Sequence, residues 1–291
     1  MRNVSTPYRS VLYTPGSNEN ALKKSVGLSA DGLIIDLEDS VVQSQKDLAR
    51  ELVCKFLKSS LAQFKLKRKK IAVRINSLES NWGEQDLKNL LYFQPDIILI
   101  PKVEEKQDLE NIDKHINSKS GNTKIWAMIE TPLGVLNSQE IATVSPNLTG
   151  LVIGTNDLIK DLGVTVSDDR VEILSYLNHV LLAARAFGLV CLDGVYNAFQ
   201  DELGFRNSCI QSRRLGFDGK TLIHPKQIDI ANEVFSPNLD EINRAKTVIR
   251  EFEKAQRDGR GVAVVEGEIV ESLHVKTAKS ILQLASNIDK A

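Results

Sequence analysis

Short apolar segments rich in β-branched residues alternate with segments of helical periodicity along most of this 291-residue sequence. The alternation is typical of a parallel sheet built from repeated strand–helix units. Eight units can be counted, which fits a closed (β/α)8 TIM barrel of the α/β class, with an open doubly wound sheet as the weaker alternative. The predicted strands are residues 10–13, 33–36, 71–75, 97–100, 125–129, 151–153, 189–192 and 221–223.

Helices are predicted between the strands, among them residues 47–61, 104–116 and 170–187. The third carries an apolar stripe with a period near 3.6 residues. After the eighth unit come a charged helix (240–257), a Gly-rich turn (258–261), a strand-like run (262–265) and a final helix (273–288). We therefore expect a barrel over residues 1–236 and a C-terminal helical extension over 237–291, which acts as a cap or reaches a neighbouring subunit. The apolar stripe of the predicted helix 170–187 consists of Val171, Leu174, Leu177, Leu181 and Leu182.

Opposite charges nearly balance, with 37 Lys and Arg against 38 Asp and Glu. Such a chain has no long-range field that would attract nucleic acid or an anionic membrane. The one dense basic run, KLKRKK at residues 65–70, has a single nearby aromatic, Phe64, and is interpreted as a solvated loop. We expect a small-molecule substrate, with neither nucleic acid nor a membrane as partner.

Three cysteines, Cys54, Cys191 and Cys209, form an odd set without C-x-x-C spacing, which argues against a disulfide framework and a zinc site. The first ten residues are polar and lack an apolar signal segment. No stretch approaches the roughly 20 apolar residues that a membrane-spanning helix needs. These features predict a cytoplasmic protein.

Polar or charged residues stand at the end of nearly every predicted strand. In a (β/α)8 barrel the active site lies at the carboxyl ends of the strands. Carboxylates, an arginine and a lysine are therefore expected to converge on one face. The strand-end residues are Thr14, Asp36, Glu38, Arg74, Asn76, Lys102, Glu130, Asp157, Asp193 and His224.

Glu130 and Asp157 end neighbouring strands, whose axes lie about 4.8 Å apart. Two carboxylates with open positions around them suit Mg²⁺, which prefers six oxygen ligands and keeps several waters. The alternative is that each acid only caps the helix that follows it. Because no Cys/His cluster offers a softer metal, magnesium is the favoured interpretation.

Arg74 follows an apolar strand and enters a region rich in acids. It either pairs with Asp36 or Glu38 or binds an anionic substrate, and both functions are compatible with each other. A purely structural buried ion pair is the alternative. At the first strand end, residues 15–18 open a helix whose free amides are suited to phosphate, although this signal is weak alone. His224 is interpreted as a hydrogen-bonded residue at a strand end and not as a catalyst.

Taken together, the motifs resemble the citrate lyase β-subunit-like family of coenzyme A ester lyases in the HpcH/HpaI aldolase superfamily, similar to malyl-CoA and citramalyl-CoA lyases. The resemblance covers about residues 9–284, and its strength lies in the ordered set of motifs. The motifs are RSVLYTPGSN, DLEDSV with Lys46 and Arg50 after it, VRIN, IPK, IETPLG, GTNDLIKDLG, LDGVYNAFQDELGF and GFDGKTLIHPKQI.

The resemblance implies a Mg²⁺-bearing barrel in a homotrimer or hexamer, whose C-terminal segment closes over a neighbouring active site. It places the two metal-binding acids at Glu130 and Asp157 and the substrate-binding arginine at Arg74. The family's lid offers an aspartate, where this chain has Glu271, and the extra methylene puts the acid–base role of the lid in question. Further substrate contacts are expected from Glu130 and Pro132, and contacts to coenzyme A from Arg9, Gly16, Ser17 and Asn18.

By this resemblance, the expected activity is Mg²⁺-dependent carbon–carbon cleavage of a short 3-hydroxyacyl-CoA of malyl, citramalyl or citryl type. The products are acetyl-CoA, or another acyl-CoA, and a 2-oxo acid. The catalytic candidates are Arg74, Asp36, Glu38 and Glu271. Relatives that act as thioesterases or malate synthases leave those reactions open. Two rivals remain: a 2-oxo-acid aldolase that uses no coenzyme A, and a non-catalytic assembly subunit that works with an acyl-carrier partner.

Overall fold

Eight parallel strands close into a barrel in the computed structural model, which describes residues 6–66, 69–118 and 122–289. Each strand pairs with its neighbours in sequence, and the eighth pairs with the first. The predicted (β/α)8 fold is confirmed. The strands are β1 (Ser10–Pro15), β2 (Gly32–Asp36), β3 (Lys70–Arg74), β4 (Ile97–Ile100), β5 (Lys124–Ile129), β6 (Leu148–Ile153), β7 (Val190–Asp193) and β8 (Gly219–Leu222).

Alternation along the strands divides the side chains between the barrel interior and the surrounding helices. One apolar cluster fills the interior with a residue or two from each of β1 to β7. The residue two positions after an interior residue faces the same way, so Tyr13, Asp36 and Arg74 follow Val11, Ile34 and Ala72 on the inner side. The full cluster is Val11, Ile34, Ala72, Ile97, Leu99, Trp126, Met128, Val152 and Leu192.

Helices follow the strands in the expected alternation. Two short 3-10 helices, Gln43–Gln45 and Pro225–Gln227, add turns after β2 and β8. The helices of the barrel are α1 (Glu19–Ser25), α2 (Lys46–Leu66), α3 (Gly83–Phe93), α4 (Gln107–Ser118), α5 (Pro132–Leu136), α6 (Ser138–Ile141), α7 (Thr155–Leu162), α8 (Leu174–Ala186), α9 (Glu202–Leu215) and α10 (Ile228–Phe235).

Helix α8 begins later than the predicted start at residue 170. Arg170 has φ of +56°, a left-handed conformation that a helix cannot contain, and residues 170–173 form a turn. The predicted apolar stripe is wrong at both ends, since Val171, which precedes the helix, and Leu182, which lies within it, are both exposed. The buried face of α8 is instead Leu177, Val180, Leu181, Ala183 and Ala184.

The described part of the basic run at residues 65–70 is not a solvated loop. Helix α2 extends through Leu66, and residues 67–68 lie outside the described part of the chain. Lys69 is buried, and its ammonium donates to the carbonyls of Ser25 and Leu28. Lys70 begins β3 and pairs with Asp96. Lysine stems can be buried when the charged end finds acceptors, which the bare charge pattern did not reveal.

The chain divides into two compact units, Tyr8–Glu233 and a second unit that contains residues 6–7 and 234–289. The second unit contains α11 (Leu239–Arg257), a hairpin of β9 (Ala263–Val265) and β10 (Glu268–Val270), and α12 (Ser272–Asp289). Only one strand-like run was predicted here. The second strand forms because Glu266 and Gly267 both have positive φ, as a two-residue hairpin turn requires. Within the described ranges, no helix combines the length and apolar character needed to cross a membrane.

Candidate active site

A cavity of about 420 Å³ opens at the carboxyl ends of the barrel strands. Its wall combines charged groups from several strands with an apolar floor, which is the usual character of a small-molecule site. The lining residues are Tyr13, Asp36, Asp39, Ser40, Arg74, Met128, Glu130, Ile153, Gly154, Thr155, Asn156, Asp157, Val195, Thr221 and Ile223.

Arg74 and Asp36 form a bidentate ion pair at one side of the cavity. The two residues are direct partners in the register of β2 and β3. The guanidinium donates from Nε to Oδ1 at 2.7 Å and from Nη2 to Oδ2 at 2.8 Å. Asp36 also accepts the backbone N–H groups of Glu38 and Ser40. Burial raises the pKa of Asp36, but the charge and hydrogen bonds of Arg74 outweigh this effect and hold the pKa below its usual range.

Glu38 is a second buried acid beside Arg74. Its Oε2 lies 3.1 Å from Arg74 Nη1, and its Oε1 lies 3.7 Å from Lys102 Nζ. The Oε2 atom is close enough for a charge contact, yet no N–H of the described residues is aimed at it as a hydrogen bond. Burial raises the pKa of Glu38 to about 7, against the opposing charge of Arg74. This carboxyl can therefore accept or donate a proton near neutral pH.

Glu130 follows β5 and is almost fully buried, with 2% of its surface exposed. Its Oε1 accepts the backbone N–H of Lys102 at 2.8 Å. Lys102 presents this N–H from a left-handed conformation, with φ of +50°. Burial, followed by the charge of Glu38, raises the pKa of Glu130 to about 7, and Asp157 acts in the same direction. The carboxylate is thus placed in a site that has too little positive charge for it.

Asp157 is the third residue of α7 and is half-buried at the cavity wall. Its carboxylate makes no hydrogen bond or ion pair within the ranges that the structure describes. The helix α5 after Glu130 is capped by the hydroxyl of Thr131, and α7 has no side-chain cap at Gly154. The alternative role of the two acids as helix caps therefore finds no support.

The chemistry of this donor set fits a magnesium ion. Two carboxylates of the cavity wall are hard oxygen ligands, and the guanidinium of Arg74 is already engaged by Asp36. Among the described residues, no group of three or more His, Cys, Asp or Glu side chains gathers as a metal site. Glu130 and Asp157 would therefore leave most of an octahedral shell to water and substrate.

Several cavity residues were not identified from the sequence, among them Tyr13, Met128 and Thr155. The Tyr13 ring lies 5.1 Å from the Arg74 guanidinium, and the Met128 sulfur lies 3.8 Å both from Tyr13 Oη and from Arg74 Nη1. Burial keeps the pKa of Tyr13 well above its usual value, so its hydroxyl is neutral. Strand alternation is the signal that would have found Tyr13 and Met128, since both share the inner face with the acids.

A buried network supports the acidic loop after β2. Lys46 Nζ donates to the carbonyls of Leu37 and Glu38 at 2.9 and 2.6 Å. Arg50 pairs with the fully buried Asp86 at 3.0 Å, and Asp86 also accepts both N–H groups of Asn76. Lys46 of the sequence motif thus holds the loop after β2, Arg50 joins α2 to Asp86 of α3, and neither Lys46 nor Arg50 lines the cavity.

Other predicted site residues are distributed differently. Arg9 lies before β1, at the opposite end of the barrel, where it forms a bidentate pair with Asp31 at 2.7 and 2.9 Å. Gly16 is buried against Asp36 O, Ser17 is half-buried, and Asn18 caps α1. Pro132 is the first residue of α5.

Glu271 is exposed after β10 in the second unit, so its role in catalysis stays a prediction. His224 accepts the Lys226 N–H and stacks on Phe199 at 4.4 Å.

Asp193 was expected on the catalytic face, but its side chain points away from the cavity. It is fully buried and contacts Ser212 of α9, Lys220 of β8 and Arg170. Leu192 occupies the inner side of β7, so the next residue must point outward. The prediction that every strand-end carboxylate converges is therefore wrong for β7.

Comparison with known proteins gives a consistent family. The HpcH/HpaI aldolase/citrate lyase family matches residues 9–225. A protein named (3S)-malyl-CoA thioesterase from Cereibacter sphaeroides (strain ATCC 17029 / ATH 2.4.9) is 49% identical over 288 residues, 99% of this chain and 98% of that protein. The citrate lyase subunit beta of Haemophilus influenzae is 34% identical over 286 residues, 96% of this chain and 97% of that protein. The crystal structure of CitE from Mycobacterium tuberculosis, in complex with magnesium, acetoacetate and coenzyme A, matches with a TM-score of 0.77 at 26% identity, over 97% of this chain and 98% of that one.

Proposed function

The chain belongs to the HpcH/HpaI aldolase/citrate lyase family, and from this premise we propose that it hydrolyses the coenzyme A thioester of a short 3-hydroxy acid of malyl type. Near-complete coverage at 49% identity by a malyl-CoA thioesterase supports this substrate class. The observation that carries the proposal is a buried acid, Glu38, that can exchange protons at neutral pH and lies 3.1 Å from Arg74, which lines the same cavity as Glu130 and Asp157.

Glu130 and Asp157 would hold a Mg²⁺ ion in this site. A bound cation of this kind polarises carbonyl and carboxylate oxygens of a substrate as a Lewis acid. Related structures from Mycobacterium tuberculosis, which contain magnesium with acetoacetate or with oxaloacetate, support the same metal and a small oxo acid as ligand of the family. The two carboxylates remain pre-positioned by Lys102 N–H and by the first turn of α7.

Arg74 stabilises negative charge that develops on a substrate oxygen. Its geometry is fixed because two of its nitrogens are held by Asp36, while Nη1 is directed to the side of Glu38 and Asp39. A donor that is already oriented needs no rearrangement when charge forms, which is the main source of electrostatic catalysis. Asp36 therefore acts as a positioning residue for Arg74.

Glu38 serves as the proton acceptor in hydrolysis. Its carboxyl, whose pKa burial raises to about 7, accepts a proton from water as the water oxygen attacks the thioester carbonyl carbon. The carbon–sulfur bond then breaks, and the proton is returned to the leaving sulfur. The products are the free hydroxy acid and coenzyme A, so one water is consumed for each thioester.

Carbon–carbon cleavage is the second candidate, supported by the 34% identity to citrate lyase subunit beta. In that reaction Glu38 would remove the proton of the 3-hydroxyl group, and the bond between C2 and C3 of the acyl chain would break. Arg74 would stabilise the charge on oxygen, and Glu271 is the proposed proton donor to the acyl-CoA enolate. This use of Glu271 fits a homo-oligomer in which the C-terminal unit of one copy closes over another copy's cavity.

The two reactions give different products and are separated by one experiment. Purified protein is incubated with malyl-, methylmalyl-, citramalyl- and citryl-CoA, with Mg²⁺ or with a chelator, and the products are identified by mass spectrometry. Free coenzyme A and malate from malyl-CoA are expected, and the Glu38→Gln variant should lose this turnover while retaining its fold. Formation of acetyl-CoA and a 2-oxo acid from malyl-CoA would instead identify the reaction as carbon–carbon cleavage and overturn hydrolysis. Inertness toward every ester, with activity only when an acyl-carrier protein is added, would favour an assembly subunit.

A further inference from the structure

A largely buried ionic cluster lies behind the active-site wall, between the barrel and its helices. Asp193 and Lys220 are partners in the register of β7 and β8, and neither has any exposed surface. Lys220 Nζ lies 2.6 Å from Asp193 Oδ2. Arg170 Nη1 donates to both oxygens of the same carboxylate, at 3.0 and 2.8 Å. One carboxylate thus holds two cations.

Charge balance alone does not explain Lys220. Arg170, whose Nη1 donates to both oxygens of Asp193, already balances the charge of this carboxylate, so the Lys220 ammonium is a surplus buried charge. In the described part of the chain, the three donors of the Lys220 ammonium find one hydrogen-bond acceptor, Asp193. Removing an ammonium from water is costly, and a cluster of this kind gives weak support to stability in comparison with apolar residues. The contacts that the cluster makes with the turn after β7 account for the buried Lys220 better than stability does.

The cluster fixes the turn that leaves β7 for the cavity wall. Asp193 Oδ1 accepts the N–H of Gly194 at 2.8 Å, and the Asp193 carbonyl accepts the hydroxyl of Thr221 at 3.1 Å. Thr221 and Val195, on either side of this contact, both line the cavity. The two hydrogen bonds that Asp193 accepts on the cavity side therefore come from Thr221, which lines the cavity, and from Gly194, which precedes the lining residue Val195.

Gly194 transmits this position to α7. A Cβ on Gly194 would lie 2.5 Å from Thr155 Oγ1 and 2.7 Å from its Cγ2, so the glycine backbone lies directly against Thr155. Thr155 is buried, begins α7 and stands two residues before Asp157. A shift of Gly194 must therefore move the first turn of α7 and the carboxylate it carries.

We propose that Asp193, Lys220 and Arg170 form a positioning cluster that fixes the carboxylate of Asp157 through the contact between Gly194 and Thr155. Its effect on cation affinity rests on the proposed function, in which Asp157 and Glu130 hold a divalent ion. Partners outside the ligand set typically change metal affinity by about 10- to 100-fold when they are removed. Lys220 is the informative position, because its loss leaves the pair of Asp193 and Arg170 in place.

The test compares Lys220→Met with Arg185→Met in the full-length protein. Arg185 pairs with Asp218 at 3.1 Å at the amino ends of the same two strands, and it is the matched control. Mn²⁺ binding without substrate is measured by electron paramagnetic resonance, alongside the melting temperature. We expect Lys220→Met to weaken Mn²⁺ binding by about 10-fold, and Arg185→Met to bind as the wild type does. Hydrogen exchange should increase at residues 155–158 and 193–195 in Lys220→Met alone.

A second variant tests the transmitting contact and covers the case in which Lys220→Met does not fold. Gly194→Ala keeps all three charges and should weaken Mn²⁺ binding to a similar extent, with no further loss when the two changes are combined. Wild-type affinity together with wild-type exchange in either folded variant would overturn the cluster's role. If the wild-type protein binds no Mn²⁺, the proposed function fails, and hydrogen exchange at residues 155–158 still decides whether the cluster positions α7.

Discussion

Gly154 controls the position of the proposed metal ligand Glu130. A Cβ at this position would lie 2.5 Å from both Cβ and Oε2 of Glu130, and 2.8 Å from Met128 Cε. Ordinary contact begins at 3.4 Å, so the Gly154→Ala variant must displace the carboxylate by about 1 Å. Because a 1 Å displacement in a catalytic constellation costs about 100-fold in rate, we expect kcat/KM to fall by about that factor, or about 2.7 kcal/mol.

Turnover of malyl-CoA by Gly154→Ala is measured over a range of Mg²⁺ concentrations, with the free energy of unfolding determined in urea. Overpacking of this kind costs about 1–3 kcal/mol of stability, which leaves most of the protein folded when the total is about 5–15 kcal/mol. Gly27→Ala is the matched control, because its nearest neighbour, the Lys24 carbonyl, would be 3.7 Å away. The control should retain wild-type kinetics.

The reasoning fails if folded Gly154→Ala keeps kcat/KM and its Mg²⁺ dependence within about threefold of the wild type, since the expected loss is about 100-fold. Such a result would mean that Glu130 can move without effect and does not need the position seen here. An equal loss in Gly27→Ala would instead attribute the effect to glycine replacement in general.

Three further perturbations test other parts of the site. Glu130→Gln and Asp157→Asn should each abolish Mg²⁺-dependent turnover and cation binding by calorimetry; Mg²⁺-dependent turnover retained in both would refute the metal assignment. Asp86→Ala leaves the buried Arg50 without this partner and should lower the free energy of unfolding in urea by about 3–5 kcal/mol, whereas Glu19→Ala on the surface should leave it essentially unchanged. Burial raises the pKa of Asp193, but Lys220 and Arg170 outweigh this and lower it. Since the unfolded value is about 3.9, its stabilisation is present above that pH and lost as pH falls through the folded value. Asp193→Asn should therefore unfold at pH 7 at lower urea than the wild type but depend less on pH in acid, and an unchanged acid dependence would contradict this.

The alternation of strands with helices predicted the barrel, and the residues at the strand ends predicted much of the cavity wall. Each strand could be recognised because a parallel strand buried on both faces gives a continuous apolar run. The number of such segments, eight, favoured a closed barrel. Asp36 and Arg74 could be paired in advance, since they end adjacent strands at equal depth. Glu130 and Asp157 were assigned in the same way, and the structure places both on the wall of one cavity.

What the sequence could not reveal depends on single backbone conformations and on long side chains. The left-handed φ of Lys102 turns its N–H toward Glu130, and nothing in the motif IPK announces that conformation. The left-handed φ of Arg170 delays the start of the predicted helix to Leu174, and the Arg170 guanidinium pairs with Asp193. Lys69 finds carbonyl partners from residues more than 40 positions away. Such contacts arise only after the chain has closed.

The position of an acid relative to the inner face of its strand decides whether it enters the cavity or supports it. On β2, Ile34 faces inward, so Asp36 does as well, and it lines the cavity beside Arg74. On β7, Leu192 faces inward, so Asp193 faces the helices and holds Lys220 and Arg170 there. Both aspartates are buried at strand ends and both pair with arginine, yet one holds an arginine of the cavity wall and the other lies behind that wall. Counting in steps of two from a known interior residue therefore separates the two classes, and it explains why a list of strand-end acids alone included one residue too many.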